Sequence, residues 1–204
     1  ALGKVESFSL SNIRLIRLGK EESLTALACD MVGDRLLALN PREPRQAARV
    51  LARGVGFPAH AEVADLDQDG HDDLLVADLG SPEPTNRAVG RVLWLKSKGS
   101  GDSADHAYEI RTLDEGRGRV ADVQAADFDG DGDLDLVVAA FGWQTLGEIV
   151  YLENVGKPKS VPAFQARTLD TRHGAIHVPI CDLNRDGKPD FVALISQEHE
   201  AVVA

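Results

Sequence analysis

Residues 127–135 read Asp127-Phe128-Asp129-Gly130-Asp131-Gly132-Asp133-Leu134-Asp135, with carboxylates at the first, third, fifth, seventh and ninth places. Like charges packed this closely repel, so an ordered loop of this composition calls for a cation to neutralise it. Calcium takes about six to eight oxygen ligands. An acidic loop meets that demand with ligands at places 1, 3 and 5, a backbone carbonyl at 7 and a glycine at 6 for the sharp turn. Gly132 is that sixth residue. The pattern recurs at 65–73, DLDQDGHDD, with Gly70 sixth and Asp73 ninth, and at 182–190, DLNRDGKPD, with Gly187 sixth and Asp190 ninth. Three loops with glycine in register and oxygen side chains at places 1, 3, 5 and 9 exclude coincidence.

An EF-hand would need a glutamate at place 12 and helices on both sides. Place 12 holds Val76, Val138 and Ala193, within the apolar runs LLVA (74–77), LVVA (136–139) and FVAL (191–194). Short, partly β-branched runs between turn signals read as buried strands. The loops therefore join strand to strand.

The repeat extends beyond the loops, whose starts lie 62 and 55 residues apart. An apolar strand precedes each loop, at 61–64, 123–126 and 178–181. After the second strand comes a third, GRVLWL from Gly90 and GEIVYL from Gly147, and then a fourth at 108–113 and 164–169. The opening stretch reads as a degenerate unit: 13–18 resembles a fourth strand and 24–29 a first strand ending at Asp30. In that reading the turn Met31-Val32-Gly33-Asp34 replaces the acidic loop, and no metal is expected there. Four-stranded units at a near-constant period predict an all-β fold, a β-propeller. A β-helix repeats over a far shorter period, and a sandwich does not repeat. The whole of 1–204 reads as one propeller segment of about three and a half to four blades. It comprises the degenerate repeat at 13–54 and loop-bearing repeats at about 60–114, 120–170 and 176–204. Because the chain stops in mid-blade, it is expected to be part of a larger, seven-bladed ring.

These residues resemble the FG-GAP or VCBS-type calcium-binding repeats of integrin α-subunit propellers and of secreted bacterial proteins. The resemblance runs from Leu24 onward and rests on the three loops and the strand rhythm, with a literal Phe141-Gly142 after the second strand of the central repeat. No Gly-Ala-Pro element is present. The resemblance implies about three calcium ions. The side-chain ligands it implies are Asp65, Asp67, Asp69 and Asp73; Asp127, Asp129, Asp131 and Asp135; and Asp182, Asn184, Asp186 and Asp190. His71, Asp133 and Lys188 would supply carbonyls. The third loop is the weakest, since Asn184 replaces a carboxylate and Arg185 and Lys188 add positive charge.

The formal net charge of −11 fits this picture, because thirteen acids sit in the three loops and three divalent ions would reduce it to −5. The acidity argues against nucleic acid or an anionic membrane as partner, and no apolar run approaches the ~18 residues of a membrane span. The first residue is Ala1 rather than Met, which reads as a processed or excised chain. Millimolar calcium outside the cytoplasm suits loops of this kind, so a periplasmic or extracellular location is expected. Cys29 and Cys181 each precede an Asp, where the other repeats have Ala64 and Ala126. A small buried residue in place of alanine is the simplest reading, with a disulfide or a reactive thiol as the alternatives.

No nucleophile elbow, zinc-protease helix or phosphate loop is present. The remaining polar residues cluster in the first strands. His60, Asp122 and His177, with Thr25 in the degenerate unit, stand five residues before the loops, and Glu62 and Gln124 stand three before. Strand alternation places them on one face. His173, Gln197, Glu198, His199 and Glu200 add imidazole and carboxylate near the end. A polar channel lining is one reading of this face and a transition-metal or substrate site the other. Trp94 and Tyr151, at matching places, are expected to pack between blades, and Trp143 is expected in the core, with an exposed aromatic as the alternative. The function expected is a non-enzymatic, calcium-stabilised module for protein or carbohydrate interaction, built on variable loops at 81–87 and 97–105. Remaining blades or a fused domain would be further partners. The alternative is a propeller enzyme or enzyme subunit, a polysaccharide lyase or hydrolase or an oxidoreductase partner, working through the His60, Asp122 and His177 face.

Overall fold

In the computed structural model, residues 9–18, 24–43, 46–99, 108–157, 159–197 and 200–204 are described. They form strands and turns arranged as four propeller blades. The first blade comprises β1 (Leu10–Ile16), β2 (Thr25–Asp30), β3 (Arg35–Leu39) and β4 (Arg49–Arg53). The second comprises β5 (Pro58–Ala64), β6 (Asp73–Asp78), β7 (Gly90–Ser97) and β8 (Tyr108–Arg117), and the third β9 (Val120–Ala126), β10 (Asp135–Ala140), β11 (Glu148–Asn154) and β12 (Phe164–Asp170). Each is an antiparallel meander in chain order. In the fourth blade Pro179 interrupts the first strand, since a proline nitrogen cannot donate to a ladder. The blade is therefore split into β13 (Ala175–His177), β14 (Ile180–Cys181), β15 (Asp190–Phe191), β16 (Ala193–Ile195) and β17 (Ala201–Val203).

Side chains alternate between the two faces of each sheet, and consecutive blades pack face to face. Ala64, Leu75, Ala77, Val92 and Trp94 of the second blade meet Val123, Leu136, Val138, Val150 and Leu152 of the third. The opposite face of the second blade, with Ala61, Leu74, Val76, Leu93 and Leu95, meets Leu27, Cys29, Leu36 and Leu51 of the first. The second strands are apolar on both faces because both are covered; all six residues of β6 and of β10 are buried.

The first blade differs from the sequence expectation. Residues 13–18 and 24–29 were expected as a fourth and a first strand, but β1 is the first strand of its own blade and pairs with β2 as β5 pairs with β6. Leu10 faces Asp30 and Asn12 faces Cys29, just as Pro58 faces Asp78 and His60 faces Ala77. The counterpart of the acidic loops is therefore 17–24, not the turn at 31–34, and residues 19–23 of it lie outside the described residues. Asn12, rather than Thr25, matches His60. Cys29 falls in a second strand and has no correspondence to Ala64.

This register explains two acids that sequence reasoning passed over. Asp30 and Asp78 end the second strands of their blades and are almost completely buried. Asp78 accepts hydrogen bonds from Phe57 N, Gly80 N and Arg91 Nε, each at 2.8 Å. Asp30 accepts from Ser9 N at 3.0 Å, Gly33 N at 3.3 Å and Arg35 Nε at 2.8 Å. In both blades one carboxylate thus ties together the entry to the first strand, the turn after the second and the start of the third.

Candidate metal centres

Each acidic loop is folded by its own carboxylates, which accept backbone N–H groups that would otherwise lack partners. In the first, Asp65 accepts from Asp69 N at 3.0 Å and Gly70 N at 2.9 Å, and Asp69 accepts from His71 N at 3.0 Å. In the second, Asp127 accepts from Gly130 N at 2.7 Å and Gly132 N at 3.1 Å, and Asp131 accepts from Asp133 N at 3.0 Å. In the third, Asp182 accepts from Asp186 N at 3.1 Å and Gly187 N at 3.0 Å, and Asp186 accepts from Lys188 N at 2.9 Å. The sixth-place glycines have φ of +84°, +96° and +84°. No atom lies within 4 Å of where a Cβ would stand on any of them. Backbone conformation, and not lack of room, requires glycine there.

The ninth-place aspartates join the loops to the sheets. Asp73 is buried and accepts from Ser97 N at 2.6 Å and Trp94 Nε1 at 2.8 Å. Asp135 is buried in the same way and accepts from Asn154 N at 2.8 Å and Tyr151 Oη at 2.7 Å. Trp94 lies in the packing between blades, as expected, but both aromatics have this second role. It could not be read from the sequence, because 21 and 16 residues separate the partners. Asp190 accepts from Leu183 N at 3.0 Å.

Among the described residues, two groups of three acids each bring one ligand oxygen within 4.8 Å of the others: Asp65, Asp67 and Asp73, and Asp127, Asp129 and Asp131. The aspartates of the third loop form no such group. Two buried carboxylate oxygens in these loops, Asp67 Oδ1 and Asp133 Oδ1, have no hydrogen-bond partner. Both residues are only 8% exposed. Leaving such an atom unpaired is costly. Burial, and then the charges of Asp131, Asp135 and Asp129, push the Asp133 carboxyl up to about 6. At the seventh place only a carbonyl was expected to matter. The His71 and Lys188 side chains there are exposed, whereas that of Asp133 turns inward and adds an acid. The set of hard oxygen donors, two of them buried and unpartnered, fits a calcium ion in the first and second loops.

The loops are not electrically equivalent. Lys96 of β7 reaches into the first loop and pairs with Asp67, and with Asp69 at 2.8 Å. The two neighbouring loops touch through Gln68 Nε2, which donates to the Gly132 carbonyl at 2.6 Å.

The polar residues of the first strands also come together, as strand alternation predicts. Asp122 is fully buried and accepts from His177 Nδ1, Val178 N at 2.9 Å and Gln124 Nε2 at 3.1 Å, with His60 Nδ1 at 3.3 Å. Asn12 and Arg14 extend this network into the first blade. Arg14 Nη1 lies 3.1 Å from His60 Nε2 and 2.9 Å from Glu62 Oε2. Gln124 Nε2 also approaches His60 Nε2, at 3.0 Å. With two N–H donors on Nε2, the His60 ring is assigned as the neutral Nδ1–H tautomer. Burial holds its pKa down, and the charges of Arg14 and His177 add to that against the pull of Asp122. The Asp122 hydrogen bond raises His177. Burial alone would raise Asp122, but the bonds from His177, Val178 and Gln124 and the charge of His60 outweigh it and lower its pKa. Each group of this cluster is thus partnered by another across a blade boundary. His173 precedes β13, at the end of the fourth blade away from the acidic loop, and Glu198 and His199 lie outside the described residues.

The loops proposed as a binding surface separate in space. The β6–β7 connection, with 81–87, lies at the end of the second blade opposite the acidic loop. Ser97 lies beside that loop, and 100–105 fall outside the described residues. Residues 81–87 are tied to the third blade: Gln144 N and Thr145 N donate to Asn86 Oδ1 at 2.8 and 3.2 Å, and Arg119 Nε donates to the Ser81 carbonyl at 3.1 Å. Trp143, expected in the core, is 38% exposed beside exposed Leu146. Both cysteines are free thiols, and burial raises Cys29 to about 12. Among the described residues no helix is long and apolar enough to cross a membrane.

Comparison with known proteins agrees with this architecture. Residues 65–138 match the model of the FG-GAP-like repeat. Integrin alpha-4 of Xenopus laevis is 34% identical over 125 residues, covering 59% of this chain and 12% of that protein. The matched repeat contains the first two acidic loops and runs from the second blade into the third. The chain is a four-bladed β-propeller segment that carries an FG-GAP-like repeat from its second blade into its third.

Proposed function

We propose that this chain is a calcium-stabilised propeller module that presents its loops to a protein partner outside the cytoplasm. The observation that carries the calcium reading is the pair of buried, unpartnered oxygens, Asp67 Oδ1 and Asp133 Oδ1, within loops that gather acids. Asp65, Asp67 and Asp73 would hold one ion and Asp127, Asp129 and Asp131 another. Asp69 of the first loop and Asp133 and Asp135 of the second would complete or support the sets. The third loop, with Asp182, Asn184, Asp186 and Asp190, would bind more weakly. The ion's role is structural: it cancels repulsion where the first strand of a blade turns into the second.

A protein partner is favoured by the integrin relative and by the exposed Trp143 and Leu146 next to the interlocked 81–87 and 141–147 loops. Exposed aromatics are enriched at protein interfaces. A larger ring is favoured by β1, where Ile13 and Leu15 are more than half exposed while Val123, which matches Ile13 in β9, is fully buried against the preceding blade. Elemental analysis after equilibration with calcium tests the metal reading. Two or three ions per chain are expected, with one fewer in an Asp127→Asn, Asp129→Asn variant. An unchanged count in that variant overturns the assignment of the second loop.

A further inference from the structure

The first and second loops match place for place, yet their surroundings differ by a full charge reversal. Trp94 of β7 and Tyr151 of β11 are equivalent, since they face Leu75 and Val137 at the same step of the ladder. Two residues on, the first loop meets Lys96 and the second has Glu153. The Lys96 ammonium touches Asp67 and Asp69 and stands 5.4 Å from the Trp94 ring centroid, over the same indole that fixes Asp73. Its side chain is mostly buried. One of the two negative charges that would face a metal from places 3 and 5 is thereby already offset by a cation of the chain itself. A cleft of about 390 Å³ opens beside it, lined by His71, Lys98, Gly99 and Glu109 as well as Asp69 and Lys96. A displaced ammonium would withdraw there toward Glu109, which Arg111 already holds at 2.9 Å.

We propose that Lys96 is a tethered cation that competes with the divalent ion for the first loop, so that the second loop fills first and the first fills only at higher metal concentration. This rests on the calcium reading above. A bound divalent ion and an ammonium about 4 Å apart repel strongly even at the effective dielectric of a protein surface. Metal entry must therefore move Lys96 off Asp67. The Gln68 bond to the Gly132 carbonyl then joins the late-filling loop to the early one.

Titration of the metal-stripped protein with terbium(III), a luminescent substitute for calcium, separates the loops. Because Trp94 and Tyr108 both stand by the first loop and Tyr151 by the second, the emission of the first loop is assigned by its loss in an Asp65→Asn, Asp67→Asn variant and that of the second by its loss in an Asp127→Asn, Asp129→Asn variant. The wild-type first loop is expected to fill at a terbium concentration at least tenfold higher than the second. Lys96→Met, which keeps length and removes charge, is expected to tighten the first loop at least tenfold and leave the second unchanged. Glu153→Lys puts the same cation beside the second loop and is expected to weaken it at least tenfold, a result independent of whether the Lys96 variant folds well. Binding at the second loop with a first loop indifferent to Lys96→Met, or weakened by it, overturns the proposal while leaving the calcium reading intact. A second loop unaffected by Glu153→Lys likewise overturns it. No terbium at either loop in any of the three proteins overturns the calcium reading and this proposal with it.

Discussion

Asp122 joins three blades, and its replacement is the sharpest test of how the polar channel face works. The carboxylate is completely buried and receives two imidazoles, a backbone N–H and an amide. Removing one member of a buried, hydrogen-bonded charge pair typically costs about 3–5 kcal/mol. The His177 side chain is 48% exposed, so water takes up part of its loss and the lower end of that range applies. Asp122→Ala is therefore expected to cost about 3 kcal/mol in urea unfolding at neutral pH and fixed calcium, with the m-value unchanged. Its pH dependence has a definite sign. His177 is raised, so its contribution is complete below its ordinary value of 6.5 and is lost as pH rises through the raised value. Asp122 is lowered, so its contribution is present above 3.8 and is lost as pH falls through its lower native value. His60 is lowered and resists protonation, so it removes stability as pH falls through 6.5. His177→Gln should flatten the loss on the alkaline side, and His60→Gln the loss between neutral and mildly acid pH. An Asp122→Ala cost below about 1 kcal/mol, or an alkaline slope unchanged in His177→Gln, refutes the reasoning.

The aspartates at the ends of the second strands lead to a related prediction. Asp78→Ala leaves Phe57 N, Gly80 N and the Arg91 guanidinium without their acceptor and is expected to cost about 3–5 kcal/mol in urea unfolding. Arg91→Ala added to Asp78→Ala should cost much less than it does alone, because the two share one interaction. Tyr151→Phe removes a 2.7 Å bond to buried Asp135 and is expected to lower stability by about 1.5–3 kcal/mol, as hydrogen bonds to charged groups do. Urea unfolding at saturating calcium measures it.

The loops and the strand rhythm were legible because each repeat carries its signal within a few consecutive residues: glycine sixth, oxygens at alternate places, then a β-branched run. The register of the first blade was not, because its loop has no acidic ladder to anchor the alignment. The clue was Asn12 and Arg14 at the spacing of His60 and Glu62, visible only once β1 is seen beside β5. Asp30 and Asp78 looked like ordinary polar strand ends, since nothing local tells a buried aspartate from a solvated one. Lys96 lies 27 residues from Asp69 and reaches it only because β7 returns alongside β6. Trp143 was misplaced for a similar reason: the turn that exposes it is held by Asn86 of the neighbouring blade.

The most direct test of the account is a thermal melt of the metal-stripped protein titrated with calcium and, separately, with magnesium. Ligand at ten times its dissociation constant adds about 1.4 kcal/mol per independent site. Two or three filled loops should therefore raise Tm by several degrees at millimolar calcium, with little response to magnesium, which resists giving up its waters. Superimposable melts with and without calcium, and no ion retained, would contradict the claim that the acidic loops are structural metal centres.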